Sequence, residues 1–251
     1  MKFREVVIYL ACLWAVFALS ATAVAQVSIP TIQMGITNAK NPSEVVSTLQ
    51  VLVLLTVLTL APAILIMMTS FTRIIVILSF LRNALGTNTM PPNQLLVGLA
   101  MFLTFVIMGP AFKQINETAI QPFLAGQITQ EVGIDRAKAP IRDFMLKQTR
   151  PRDIELFQQM TNQPLAGKIE DVPFMSLVPA FMISELKTAF QMGFIIYLPF
   201  LVLDMIVASV LMAMGMMMLP PVLISLPFKL MLFVLVDGWQ LMVGSIVKSF
   251  G

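Results

Sequence analysis

Seven ionisable side chains stand in stretches that are otherwise apolar: Arg73, Arg82, Glu185, Lys187, Asp204, Lys229 and Asp237. In a low-dielectric interior such groups can pair and hold helices in register, relay a proton, or act as two carboxylates sharing one. Counting along the last hairpin separates these cases. Asp204 and Lys229 are equidistant from the middle of Met216-Met217, whereas Asp204 and Asp237 are equidistant from the Pro220-Pro221 bond. A turn at the first point brings Asp204 and Lys229 together as an ion pair, and a turn at the second sets two carboxylates face to face. The ion pair is the favoured expectation, because pairing is how buried charge is usually tolerated. A proton relay or an acid pair stays open beside it. The catalytic form of the acid pair would be an intramembrane aspartyl protease. Asp204 stands in Val-Leu-Asp-Met and Asp237 in Val-Asp-Gly-Trp, and neither matches the Tyr-Asp and Gly-x-Gly-Asp motifs of such enzymes.

Other chemistry lacks its reagents. The chain contains no histidine, and its single cysteine, Cys12, lies in a segment expected to be removed. Zinc, haem and triad chemistry thereby lose their usual ligands and bases, so neither metal nor cofactor is expected, and no enzymatic activity. Methionine, by contrast, is abundant at 20 residues. Most of these fit the role of core or lipid-facing filler, among them Met67, Met68, Met101, Met108 and Met231. Met216, Met217 and Met218 differ, because Gly215 and Pro220-Pro221 break helical geometry on either side of them. Three adjacent side chains cannot share one helix face, but in a loop at the mouth of an assembly they can all point inward. Thioethers are unbranched and adaptable, so a ring of such loops would seal a pore and still yield to a passing chain.

Arg73 and Arg82 are nine residues apart, which at about 100° per residue leaves them on opposite faces of one helix. A small bundle covers both with difficulty, whereas an oligomer can turn one face to each neighbouring subunit. The insertion-scale cost of about 3 kcal/mol for a charge at the bilayer centre asks for protein or water around all seven groups.

The elements that must carry these residues follow from composition. The 251-residue chain is 58% hydrophobic and 12% charged, against roughly 25% charged in an average soluble domain. Its charges are segregated: Arg73 and Arg82 are the two in 45–112, while 113–171 holds eight basic and eight acidic residues. Apolar spans are expected at roughly 45–70, 93–112, 186–213 and 222–247, with a kink at Pro62 and a helix running on through Arg82 to stop at Gly86. Within 113–177, Pro140–Met145 and Arg152–Met160 read as two short amphipathic helices separated at Arg150-Pro151, with Asp143 and Asp153 in their first turns. About 60 residues bury little core alone, so Phe144 and Phe157 are expected to pack on neighbouring copies or on each other.

At the amino end, Lys2 and Arg4 precede the apolar run Val6–Leu19 and the small-residue site Ala23-Val24-Ala25, the plan of a secretory signal peptide over 1–25. A polar leader, 26–44, follows. Removing Lys2, Arg4 and Glu5 with the signal leaves 14 basic and 12 acidic residues, neither clustered nor interleaved with aromatics, so nucleic acid is not expected as a partner. An outside amino end and four crossings put the Arg73–Arg82 loop in the cytoplasm, as the positive-inside rule prefers, and the insertion in the periplasm.

Four blocks carry a family resemblance: Phe71-Thr-Arg-Ile-Ile-Val-Ile-Leu-Ser-Phe-Leu-Arg-Asn-Ala-Leu-Gly-Thr87, Pro91-Pro-Asn-Gln94, Pro179-Ala-Phe-Met-Ile-Ser-Glu-Leu-Lys-Thr-Ala-Phe190, and Asp204 through Met-Ile-Val-Ala-Ser-Val-Leu-Met-Ala-Met-Gly-Met-Met-Met-Leu-Pro to Pro221. They resemble the FliP family of type III export-gate subunits, flagellar and injectisome, over nearly all of 45–250. The resemblance implies an all-α membrane protein of kinked helical hairpins, 45–112 and 178–251, with a small helical periplasmic domain, 113–177, between them. It further implies a homo-oligomer, a pentamer, joined by FliQ and FliR and other export-apparatus proteins. The assembly would sit in the bacterial inner membrane at the flagellar basal body, held largely above the membrane plane, in contact with lipid, and pass unfolded substrates. Met216, Met217 and Met218 would form its gasket, and Glu185 and Lys187 would make intersubunit contacts. A rival class is a small-solute or ion carrier working through Asp204 and Asp237, but the internal repeat that many carriers show is missing.

Overall fold

The computed structural model describes residues 42–87, 89–161, 172–216 and 218–251. The expected signal peptide, the leader up to residue 41, Cys12 and Met217 lie outside the described residues. Contacts divide the chain into Met1–Leu52 and Val53–Gly251. In the first unit, the described residues form the opening turns of helix α1, Pro42–Met67. Everything below concerns the second.

All regular structure among the described residues is helical: α1, then α2 (Phe71–Ala84), α3 (Asn93–Ile115), a π-helical turn (Asn116–Ile120), α4 (Gln121–Leu124), α5 (Gln130–Gln148), α6 (Pro151–Met160), α7 (Phe174–Ala213), α8 (Pro221–Leu235) and α9 (Gly238–Lys248). The core is built around α2. Ile74, Ile77, Leu78, Leu81 and Ala84 follow the three-and-four spacing of a helix face and are almost fully buried. Against them pack Leu96, Ala100 and Leu103 of α3, Ala189 and Phe200 of α7, Phe233 of α8, and Met242 and Ile246 of α9. At about 0.8 kcal/mol per buried methylene, this cluster is the main stabilising element described. Close approach of α2 and α7 depends on Gly193, since a β-carbon there would lie 2.6 Å from Phe80 Cγ.

A second cluster joins α5 and α6 to the first half of α7 through Met145, Ile154, Leu177, Ala180 and Phe181. Phe144 packs edge-on against Phe181 at 5.9 Å and stacks on Phe250 at 6.1 Å, and Phe157 borders the same cluster. Phe144 thus packs on α7, and Phe157 on the cluster that α5, α6 and α7 share. The reason is α7 itself: at 40 residues it extends well beyond α2 and offers the insertion a ready apolar face.

Several boundaries also differ from expectation. The first long helix runs uninterrupted past Pro62 and breaks at 68–70, so α1 and α2 are separate. α3 continues through the π turn into α4, and the whole Asn93–Leu124 stretch is 32 residues long. α5 begins ten residues before Pro140, at Gln130, and carries that proline inside it. The last expected span is two helices, α8 and α9, bent by 66°. Asp237 makes the bend with φ at 50°, a left-handed conformation that Asp tolerates better than most residues. Among the described residues, two helices are long and apolar enough to cross a membrane, Asn93–Leu124 and Phe174–Ala213, or three if the bent pair counts as one. Of the four expected spans, 93–112 and 186–213 fall within these two helices, 222–247 on the bent pair, and 45–70 mostly on α1.

Candidate functional site

Arg73 is 2% exposed near the start of α2, and Glu185, fully buried on α7, faces it. The pair is bidentate: Arg73 Nε donates to Glu185 Oε2 at 2.9 Å and Nη2 to Oε1. The remaining donors reach Ser249 O at 2.9 Å, Ser249 Oγ at 3.1 Å and Gln148 Oε1 at 2.9 Å. The Phe250 ring lies 3.8 Å from the guanidinium carbon, and Gln148 Nε2 donates to Phe250 O. Arginine's planar fork suits this density of acceptors in a way lysine's point charge does not. One side chain therefore ties α2, α5, α7 and the residues after α9 together.

Arg82 lies half-buried on the opposite face of α2, as the spacing requires, and donates to Asn93 Oδ1 at the start of α3. Both arginines contact groups of their own chain, and the buried Nε of Arg82 has no hydrogen-bond partner among the described residues. Lys187 is exposed on α7. Asp237 is exposed at the α8–α9 bend, and no side-chain hydrogen bond caps α9 from it.

Asp204 and Lys229 meet. Lys229 Nζ is 2.6 Å from Asp204 Oδ2, with the lysine 2% and the aspartate 22% exposed. Ser225 donates to the other carboxylate oxygen, and Lys229 also donates to Ala84 O at 3.2 Å. The carboxylate is thus taken up by Lys229 and Ser225, and the carboxylate pair with Asp237 does not form.

Above this pair the chain reverses. Gly215 N–H bonds to Met212 O at 3.0 Å and Met216 N–H to Leu211 O at 2.9 Å, the paired bonds of a Schellman motif, with Gly215 at φ 76°. Pro221 occupies the first turn of α8, where its missing N–H costs nothing. The turn and its approach are lined with exposed thioethers: Met212 62%, Met214 61%, Met216 41% and Met218 99%.

Composition alone did not single out Gln148, Ser249 and Phe250 around Arg73, or Ser225 beside Asp204. Ser225 had a signal, standing four residues before Lys229 on the same helix face. The Arg73 partners had none, Gln148 being 75 residues away in the chain and Ser249, with Phe250 next to it, 176. No group of three or more metal-ligating side chains occurs among the described residues.

A family model described as the FliP family matches residues 54–246. The chain is 54% identical over 217 residues to the flagellar biosynthetic protein FliP of Bacillus subtilis (strain 168), covering 86% of this chain and 98% of that relative. The chain belongs to the FliP family. Identity to the flagellar biosynthetic protein FliP of Pectobacterium carotovorum subsp. carotovorum is 60% over 201 residues, 80% of this chain and 78% of that one. For the Aquifex aeolicus (strain VF5) FliP it is 49% over 207 residues, 82% and 87% respectively. The FliP match begins just after the boundary at Leu52 and takes in Arg73, Glu185, Asp204, Lys229 and the methionine turn.

Proposed function

We propose that this chain is a pore subunit of the flagellar type III export gate. Family membership makes it a component of the flagellar biosynthesis export apparatus, and its long apolar helices fit an inner-membrane location at the flagellar base. In the proposed reading, copies of the chain, five by family resemblance, assemble with FliQ and FliR around a conduit for unfolded flagellar proteins. The insertion, α5 and α6, faces the periplasm, and lipid covers the remaining apolar faces. The subunit makes and breaks no covalent bonds. Its work is to exclude ions and small solutes while idle and to yield to an entering polypeptide.

One observation carries this reading: the turn between α7 and α8 presents Met212, Met214, Met216 and Met218 outward from a Schellman-capped helix end. Large apolar side chains exposed together at a tight turn have no stabilising role within the subunit and are suited to meeting one another, or a substrate, across a symmetric ring. Displacing flexible thioethers needs no refolding of the arms. The test is ion conductance of the reconstituted FliP-family–FliQ–FliR complex, with Met216→Ala, Met217→Ala and Met218→Ala combined. Leakage through the idle complex is the expected result, with subunit stability within about 0.5 kcal/mol of wild type for the exposed Met218 change. A complex as tight as wild type removes the gasket assignment. A mass measurement of the detergent-extracted complex checks the pentamer and the two partners.

A further inference from the structure

The Asp204–Lys229 pair has a third partner that a register-setting ion pair does not need. Lys229 Nζ reaches past Asp204 to Ala84 O, in the last turn of α2. Carbonyls at a helix carboxyl end have no intrahelical donor and carry the negative end of the helix dipole, so a buried ammonium there is doubly favoured. The contact is part of a wider seat. A β-carbon at Gly86, just past the end of α2, would lie 3.7 Å from Val222, 3.9 Å from Leu226 and 3.8 Å from Lys229 Nζ. Val222, Leu226 and Lys229 are spaced four and three apart on α8, so one face of that helix rests on the chain reversal that ends α2. Gly86 has φ 77°, so the reversal itself is held by a backbone conformation that other residues rarely adopt.

Along the adjoining edge of the same face, α8 grips α7 at two points. Ser225 and Lys229, four residues apart, bind the two oxygens of Asp204 separately, and Ser225 is fully buried. Asp204 precedes the methionine turn and Lys229 follows it, so the three-way junction of α2, α7 and α8 lies at the base of both arms of the gate hairpin.

We propose that Lys229 is a positioning residue for the methionine turn, latching both arms of the α7–α8 hairpin to the carboxyl end of α2 and so holding the turn in its closed place. The inference rests on reading the turn as a gate. Opening then moves residues 214–220 on arms that stay fixed. Ser225 assists by denying Asp204 any other orientation.

The experiment uses the assembled complex with FliQ and FliR, with Cys12 replaced by serine and a spin label on Met218→Cys, a position 99% exposed. Lys229→Met is expected to broaden the distribution of label-to-label distances around the ring. It should also raise closed-state ion leakage about tenfold, the factor given by about 1.4 kcal/mol of lost closed-state preference. Lys229→Arg, which keeps the charge and the reach to Ala84 O, should restore most of both. Unchanged label distances in an assembled Lys229→Met complex overturn the latch. If that variant fails to assemble, Ser225→Ala decides, because it removes one hydrogen bond without stranding a charge: a smaller broadening in the same direction supports the latch, and a wild-type distribution overturns it. Failure of the gate reading looks different. There the triple methionine variant does not leak, while the label distances still report whether Lys229 positions the turn.

Discussion

Removing Glu185 should be among the most damaging single changes in this chain. The substitution Glu185→Ala takes away two of the contacts of the Arg73 guanidinium and leaves a cation that is 2% exposed. What remains around it is neutral: the Ser249 carbonyl and hydroxyl, the Gln148 amide oxygen and the Phe250 ring at 3.8 Å. Those dipoles and the ring, the latter worth about 2 kcal/mol when desolvated, cannot stand in for a carboxylate. Because both partners are buried, solvent screening gives no relief, and the expected loss is that of a broken buried pair, about 3–5 kcal/mol, well above the 0–1 of a surface bridge. For a chain of this size that corresponds to a Tm lowered by roughly 6–20 °C, at about 2–4 °C per kcal/mol. The assay is thermal unfolding of the detergent-solubilised complex for Arg73→Met, Glu185→Ala, Glu185→Leu and Arg73→Met with Glu185→Leu. The double variant should recover most of the loss, since a well-packed apolar pair often replaces a buried ion pair at little cost. The cycle should then return a coupling of a few kcal/mol. A single Glu185→Ala loss below about 1 kcal/mol, or a double variant as unstable as the sum of the singles, would refute the claim that uncompensated charge is the cause.

Two further outcomes follow from packing. Gly193→Ala should cost about 1–3 kcal/mol, because its β-carbon would meet Phe80 Cγ at 2.6 Å and the α2–α7 contact must open, whereas Gly98→Ala, with nothing within 4 Å, should be near neutral in the same denaturation series. Phe181→Ala, at a fully buried position against Phe144, should cost about 3–5 kcal/mol, and faster hydrogen exchange in α5 and α6 would show the insertion loosening from α7.

Local features were legible from residue order wherever the cause was local. The methionine turn was placed by Gly215 and Pro220-Pro221, and the structure closes it with the Schellman bonds those residues permit. Arg73 and Arg82 fall on opposite faces because helical periodicity leaves no choice. The Asp204–Lys229 contact was one of the two registers the count allowed, the one favoured because buried charge is usually paired, and antiparallel helices joined by a tight turn hold it. The break at Asp237 was not legible. Aspartate is acceptable in many conformations, and the bend brings the ring of Phe233 so close to Gly238, with Cδ2 2.2 Å from where a β-carbon would be, that only glycine fits there. Nor was the end of α3: composition changes at Lys113, but the helix runs through a π turn to Leu124, because the backbone ladder depends little on side-chain polarity.

Residue order by itself therefore determined the all-helical class, the scarcity of charge that makes each ionisable group costly, the absence of histidine, and the position of the methionine turn, since these depend on composition and on neighbours within a few residues. Only the tertiary structure decided which groups satisfy the charges. Arg73 and Glu185 are 112 residues apart, and Lys229 and Ala84 are 145. Those meetings arise from helices packed side by side, where the contact depends on crossing geometry and small residues such as Gly193 and carries no periodic signal in either partner's own segment.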